Sequence, residues 1–232
     1  MLSTSNALVA ARGRVGRTVA AGVLTVVALA VAAIAPGHAM AATQEDRTQF
    51  SVTAGSLAFS TAPAMPTLTG VTLNGSAQTT YSTMTNVGVN DATGSGSGWN
   101  VTVEGQTGAG KSAVFAQYCP NKKCGADSEG YVPAGATLNA NSLTLNSTGG
   151  ALSAQNGTTG TAPTLVCGAG CSVDHGTPVK VLSAASTAGM GTWLANGFSA
   201  TSLALATPTT MKVLANEEVY RVNLLWTLST GP

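Results

Sequence analysis

Apolar and polar residues alternate along this chain with a period of two, and that pattern constrains the fold most. In residues 99–103 the apolar side chains fall on every second position, starting at Trp99. The C-terminal stretch repeats the pattern, with Leu225 as an apolar exception on the polar face. Its apolar face is formed by Tyr220, Val222, Leu224, Trp226 and Leu228. This period is typical of strands that bury one face in a core.

Shorter alternations and frequent turn residues extend this prediction to the rest of the chain. Brief apolar–polar repeats occur at residues 143–145, 179–181 and 203–205. Another begins at Phe50 and changes parity at Gly55, which indicates a bulge or a turn in a first strand. No stretch after residue 41 shows a convincing helical repeat, and 28 glycines punctuate the chain.

Together these patterns predict an all-β fold after an N-terminal signal helix. The expected architecture is an antiparallel, β-sandwich-like domain of many short strands with long Gly/Ser/Thr-rich loops. Two stretches are poor in apolar residues, 94–98 and 147–160, and we interpret both as loops.

The N-terminus has the pattern of a secretory signal peptide. Three arginines precede an apolar run at residues 18–35, and small residues at Ala39 and Ala41 offer a cleavage site. We therefore predict a signal at residues 1–41 and a mature chain at 42–232, although an uncleaved membrane anchor is the alternative. No later stretch has the roughly 18 apolar residues of a membrane span, and we see no wall-sorting signal of the Leu-Pro-x-Thr-Gly type. A chain exported in this way is expected to be secreted and, if it stays on the cell, to be held non-covalently.

The charge of the predicted mature chain argues against a nucleic-acid partner. Three of the ten basic residues lie in the signal and all nine acidic residues follow it, so seven bases face nine acids and the net charge is −2. A phosphate-binding protein needs a clustered basic face, which a chain with 8% charged residues does not offer.

All four cysteines lie in the predicted mature chain, at Cys119, Cys124, Cys167 and Cys171. An even number in an exported protein indicates two disulfides, for which three pairings are possible. We favour Cys119–Cys124 and Cys167–Cys171, which would each close a small loop. A zinc site is the alternative because the spacings are close to those of metal ligands, but export into an oxidising environment argues against it.

Motifs for catalysis are weak. Residues 105–112 match the phosphate-loop pattern, but too few residues precede Cys119-Pro120 to form the helix that such a loop requires, so we interpret them as a Gly-rich hairpin turn. His175 is the single histidine of the predicted mature chain, and its carboxylates are scattered. Asp127 and Glu129 are interpreted as a solvated loop rather than a calcium site. We expect no enzyme activity, no cofactor and no metal, with a secreted hydrolase as a remote alternative.

The C-terminal residues resemble a known family signature. Tyr220-x3-Leu224-x-Trp226-x-Leu228-x3-Pro232 is similar to the terminal motif of the WxL domain of Gram-positive surface proteins. Upstream, Asp91 followed by a Gly-rich turn and Gly98-Trp99 also resembles the family. The resemblance covers roughly residues 49–232 and identifies residues 42–232 as a WxL-like β domain. Insertions near residues 105–135 and 147–178 depart from the family pattern.

The resemblance implies a function at the outer surface of the cell. WxL domains are held to attach non-covalently to peptidoglycan, so we expect peptidoglycan or another cell-wall glycan as the partner, with other surface proteins as further candidates. A structural or adhesive subunit of a surface complex or fibre is the alternative function. The candidate wall-binding residues are Tyr220, Trp226, Leu228, Trp99 and Trp193. A core position explains Trp226 at least as well, whereas Trp193 and Tyr131 lie in Gly- and Ala-rich contexts that favour exposed loops.

Overall fold

The computed structural model describes residues 47–122, 124, 128–215 and 217–232, and the predicted signal peptide lies outside them. The chain divides into two compact units, Met1–Phe50 and Ser51–Pro232. The described residues form strands, turns and loops without any helix, so the predicted all-β class is confirmed. The strands are β1 Leu57–Thr61, β2 Gln78–Ser82, β3 Val87–Asp91, β4 Trp99–Gly105, β5 Ala116–Cys119, β6 Gly130–Tyr131, β7 Leu143–Leu145, β8 Ala151–Gln155, β9 Thr164–Leu165, β10 Cys171–Ser172, β11 Val179–Ala184, β12 Gly191–Asn196, β13 Leu203–Thr207, β14 Val219–Arg221 and β15 Leu224–Thr230.

These strands form four antiparallel sheets. Sheet 1 has the order β1-β3-β12-β8, sheet 2 β10-β7-β13-β2, sheet 3 β15-β4-β11-β9 and sheet 4 β14-β5-β6. Strand β1 of sheet 1 lies next to β15 of sheet 3, and β8 lies next to β9. Sheets 1 and 3 therefore meet at both edges, which gives the sandwich-like arrangement predicted from the alternation.

The core confirms the alternation most clearly in β4. Its three apolar side chains are almost fully buried, while the polar residues between them are partly exposed. They pack in one cluster with apolar side chains of β3, β7, β11, β12 and β13. Burial of each such side chain contributes about 1.5–3 kcal/mol, so these inner faces hold the sheets together.

The C-terminal alternation forms two strands in two sheets rather than one strand. Strand β14 pairs with β5 in sheet 4, whereas β15 pairs with β4 in sheet 3. The break lies at Val222 and Asn223. The backbone N–H of Asn223 donates to the carbonyl of Ser112 at 2.9 Å, and its carbonyl accepts from the N–H of Gln106 at 2.7 Å. Because the loop after β4 takes both backbone groups, the strand is interrupted there.

Three other local predictions were wrong. Residues 51–56 form no strand although they alternate, and pairing begins only where the N–H of Gly55 bonds to the carbonyl of Ala92 at 2.8 Å. The stretch 147–160, predicted as a loop, contains β8. This strand pairs with β12, although its few apolar residues did not indicate a strand. The stretch 105–112 is not a hairpin, because β4 and β5 belong to different sheets.

The remaining short strands match their predictions. Alternations at residues 143–145, 179–181 and 203–205 become β7, the first part of β11 and the first part of β13. The glycine-rich stretch 94–98 is a loop.

The favoured disulfide pairing is confirmed. Cys119 bonds to Cys124 and Cys167 to Cys171, with Cα–Cα distances of 5.7 and 5.4 Å. Each bridge closes a loop of a few residues, as predicted, and all four thiols are used. The alternative of a zinc site on these cysteines is therefore wrong.

Candidate functional site

An apolar groove of about 850 Å³ lies at the surface of the described residues. One wall is the connection between β1 and β2, residues 63–71 with Leu73, which we call the strap. Residues 211–214 and β14 with the start of β15 also line the groove. Side chains of the core close the floor, among them Leu203 and Leu205 of β13.

The strap is attached by side chains rather than by a strand ladder. Thr85 Oγ1 donates to the carbonyl of Ala64 and accepts from its N–H. Further along, Thr80 donates to the carbonyl of Thr69 at 3.3 Å. Met65 and Leu68 pack against the core. Side-chain hydrogen bonds and apolar contacts therefore hold the strap in place.

Two of the predicted wall-binding residues line this groove, Tyr220 and Trp226. Tyr220 lies in β14, and its hydroxyl donates to the carbonyl of Lys212 at 2.9 Å. Burial raises the pKa of this tyrosine, so the hydroxyl stays protonated as a donor. Trp226 of β15 is half-buried and packs against the core. Both side chains therefore pack against the core and also line the groove.

The other tryptophans lie inside the protein. Trp99 of β4 is 1% exposed, and its indole N–H donates to the carbonyl of Gly189 at 3.0 Å. Trp193 is 6% exposed and donates to the carbonyl of Met190 at 3.0 Å. The expectation that Trp193 lies in an exposed loop was wrong, because it belongs to β12, the central neighbour of β3 and β8. Leu228 is half-buried against the core and does not line the groove.

Tyr131 also differs from the exposed contact that its sequence context favoured. Its ring meets that of Tyr118 edge to face at a centroid distance of 5.0 Å. Its hydroxyl donates to Asn223 Oδ1 at 2.6 Å. On the other side, the guanidinium of Arg221 lies 4.4 Å from the centroid of the Tyr118 ring. Tyr131 of β6 therefore stabilises the junction between β14 and β15.

Charges around the groove are few and are largely exposed. Glu218 accepts from the side-chain amide of Gln117 at 2.8 Å, and Arg221 lies 3.9 Å from a carboxylate oxygen of Glu129. An exposed pair of this kind contributes at most about 1 kcal/mol. Lys212 is the further charged residue of the lining. The groove therefore offers apolar and aromatic surface rather than a field of one sign.

The carboxylate of Asp174 is buried and has a structural role, because backbone N–H groups donate to it. Its two oxygens accept from the backbone N–H groups of Ser142 and Leu143 at 3.0 and 2.9 Å. Burial raises the pKa of this carboxyl, while the hydrogen bonds from the backbone lower it. The neighbouring His175 accepts from the N–H of Thr177 through Nδ1 at 3.2 Å. In the described residues no three histidine, cysteine or carboxylate side chains converge on a point where a metal ion would bind.

The groove contains residues that sequence reasoning missed. The strap and residues 211–214 carry no alternation, and their apolar side chains are separated in sequence by more than a hundred residues. The signal that could have been used is the density of Pro and apolar residues at 63–68, which is unusual for a solvated loop.

No helix of the described residues has the length and apolar character needed to cross a membrane.

The fold is that of a β-sandwich-like domain with an apolar groove at its surface, and the aromatic side chains of Tyr220 and Trp226 line this groove. A family model described as "WxL domain surface cell wall-binding" matches residues 52–232. The chain therefore belongs to the WxL family, and the resemblance of its C-terminal motif is confirmed. This is a family of cell wall-binding domains rather than of enzymes, which supports a place at the cell surface. Comparisons with curated proteins and with solved structures found no match.

Proposed function

We propose that this protein is secreted and associates non-covalently with the peptidoglycan of the cell wall, where it acts by binding rather than by catalysis. The observation that carries the proposal is the match of a cell wall-binding family over residues 52–232, nearly the whole predicted mature chain. The alternating strands and the two disulfides are consistent with a protein that folds after export.

The groove is the surface that we propose for the contact. Aromatic faces pack on the apolar faces of sugar rings, and Tyr220 and Trp226 are the predicted contact residues that line a cleft. Hydroxyl groups are also present in the lining, at Thr67, Thr69 and Thr207. In this proposal Trp99 and Trp193 act indirectly, because their burial maintains the sheets that carry the groove.

Co-sedimentation of the exported protein with purified peptidoglycan sacculi tests this proposal. We expect the wild-type protein to pellet with the sacculi. Val213 lines the groove and is 83% exposed, so Val213→Asp places a charge in the apolar cleft without disturbing the core. We expect that variant to lose at least tenfold in affinity.

The matched control is Val166→Asp, at a 45% exposed valine that does not line the groove. It receives the same substitution and should bind like wild type. These surface variants are more informative than Trp226→Ala, which would also remove packing against the core. Wild-type protein that folds but stays in the supernatant would rule out peptidoglycan binding. Unchanged binding of Val213→Asp would place the contact outside the groove, and equal loss in both variants would mean that the effect is one of added charge.

A structural or adhesive subunit of a surface complex remains the second candidate. The observation that favours it is an open strand edge, since β14 pairs with β5 alone in the described part of the chain. Open edges are sites for pairing with another chain.

A further inference from the structure

A short segment before β1 has the pattern of a strand but no strand partner. Phe50, Val52 and Ala54 alternate with polar residues, and the side chains of Phe50 and Val52 are 90% and 83% exposed. No backbone hydrogen bond joins residues 51–54 to another described residue, and pairing starts only at Gly55. Apolar side chains at every second position are typical of a strand that buries one face. We call residues 50–54 the arm.

The groove has the matching features of a strand acceptor. Five consecutive residues, 218–222, line it, although neighbouring side chains of a strand point to opposite faces. A cleft that touches all of them must run along the edge of β14. That edge is open within the described residues, because β5 occupies the other one. An extended segment placed there would form hydrogen bonds with the backbone of β14 and pack its side chains in the apolar groove.

We propose that the arm of a second copy of this protein adds as a strand along the open edge of β14 and inserts Phe50 and Val52 into the groove. Strand addition derives affinity from main-chain hydrogen bonds and specificity from pockets that take alternate side chains. The arm supplies alternate apolar side chains, and the groove supplies an apolar cleft large enough to receive them.

A second copy fits the observations better than the arm of the same chain, since the arm is exposed in its own chain. Because the arm of one copy would occupy the groove of another, the contact joins two different surfaces and generates rings or chains of copies. A segment of five residues buries far less than a standard interface, so association is expected to depend strongly on concentration. The proposal does not depend on wall binding, but both would use the same groove.

Sedimentation velocity over a range of concentrations, on the exported protein, tests the proposal. We expect wild type to shift from monomer to larger species as concentration rises. The double variant Phe50→Asp, Val52→Asp should remain monomeric, since it charges the apolar face of the arm. Both positions are exposed, so these substitutions leave the fold intact.

The matched control is Ser51→Asp with Thr53→Asp, which places the same two charges on the opposite face of the same segment. These residues are also exposed, and this variant should associate like wild type. Association that is unchanged in the Phe50 and Val52 variant, or wild type that remains monomeric at all concentrations, would overturn the proposal. Equal loss in both double variants would also overturn it, since the effect would then be one of net charge.

The groove side is tested with a synthetic peptide of residues 48–54 and the variant Val213→Asp. Fluorescence anisotropy of the labelled peptide should report binding to wild type and at least a tenfold weaker affinity for the variant. Equal affinity for both would overturn the placement in the groove. Wall binding is scored separately, because the Phe50 and Val52 variant should still pellet with sacculi if that function is correct.

Discussion

Asp174 and Trp99 are buried residues whose polar atoms bond to backbone groups of other segments. The carboxylate of Asp174 accepts from Ser142 and Leu143, and the indole of Trp99 donates to Gly189. A buried polar group without a partner costs about 1–3 kcal/mol, so each side chain fixes the loop to which it bonds. Gly189 is itself constrained, since a Cβ there would lie 2.5 Å from the Cβ of Ala184. Single residues such as Gly189 therefore determine the conformation of the loops in which they lie.

Asp174→Ala should be strongly destabilising. The substitution leaves the N–H groups of Ser142 and Leu143 without their acceptors in a buried site. We expect the free energy of unfolding, measured by urea denaturation, to fall by about 2–3 kcal/mol. The control Thr177→Ala changes an exposed side chain nearby and should stay within about 0.5 kcal/mol of wild type. A loss below about 0.5 kcal/mol in Asp174→Ala would show that water replaces the carboxylate.

The junction between β14 and β15 is the decisive feature at the scale of elements. It divides the signature strand so that Tyr220 lies in sheet 4 and Trp226 in sheet 3, and both then line the groove. Asn223 fixes the break through its backbone and also through Oδ1, which accepts from Tyr131 and from the N–H of Ser112. Residues 105–135 thus support the groove wall.

Asn223→Ala should weaken this junction. The partly exposed hydroxyl of Tyr131 and the N–H of Ser112 lose their common acceptor, and we expect a loss of about 0.5–1.5 kcal/mol in the free energy of unfolding. Tyr131→Phe removes one of the two hydrogen bonds and should cost less. Because the two residues share one contact, the double variant should be less destabilised than the sum of the single variants. Additive losses would mean that the contact does not contribute to stability.

At the scale of the whole molecule, sheet packing rather than cross-linking should dominate stability. Both disulfides join cysteines only five and four residues apart, so they constrain small loops. Cross-links of that length restrict the unfolded chain least. By contrast, the buried cluster draws on sheets 1, 2 and 3 and includes residues from β3 to β13.

Replacement of both cysteine pairs by alanine should therefore leave the protein folded. We expect a loss of about 2 kcal/mol for each bridge from the loop lengths. The far-ultraviolet circular dichroism spectrum should keep its β character, and urea denaturation should give the cost. Replacement of one pair at a time separates the two loops. Loss of the β spectrum in the single-pair variants would show that the bridges are required for folding.

The sequence predicted the class of fold and the family but little of the site. Period-two alternation identified β4, β7 and the faces of β14 and β15 because those strands bury one face in the core. It failed at residues 51–54, where an alternating segment lacks a partner, and at β8, where a partner exists but the alternation is weak. The local sequence pattern indicates which face a segment would bury. It does not indicate whether a neighbouring strand is available to pair with that segment.

The sequence by itself determined the all-β class and the family motif, and it favoured the pairing of nearby cysteines and predicted export. These properties depend on side-chain period and on residues close together in the chain, so they can be read locally. Only the tertiary structure decided that Trp193 is buried, that the C-terminal strand divides at Asn223, and that the strap and residues 211–214 enclose a groove around Trp226. Each of these depends on contacts between residues far apart in sequence, because sheet pairing and core packing bring distant segments together.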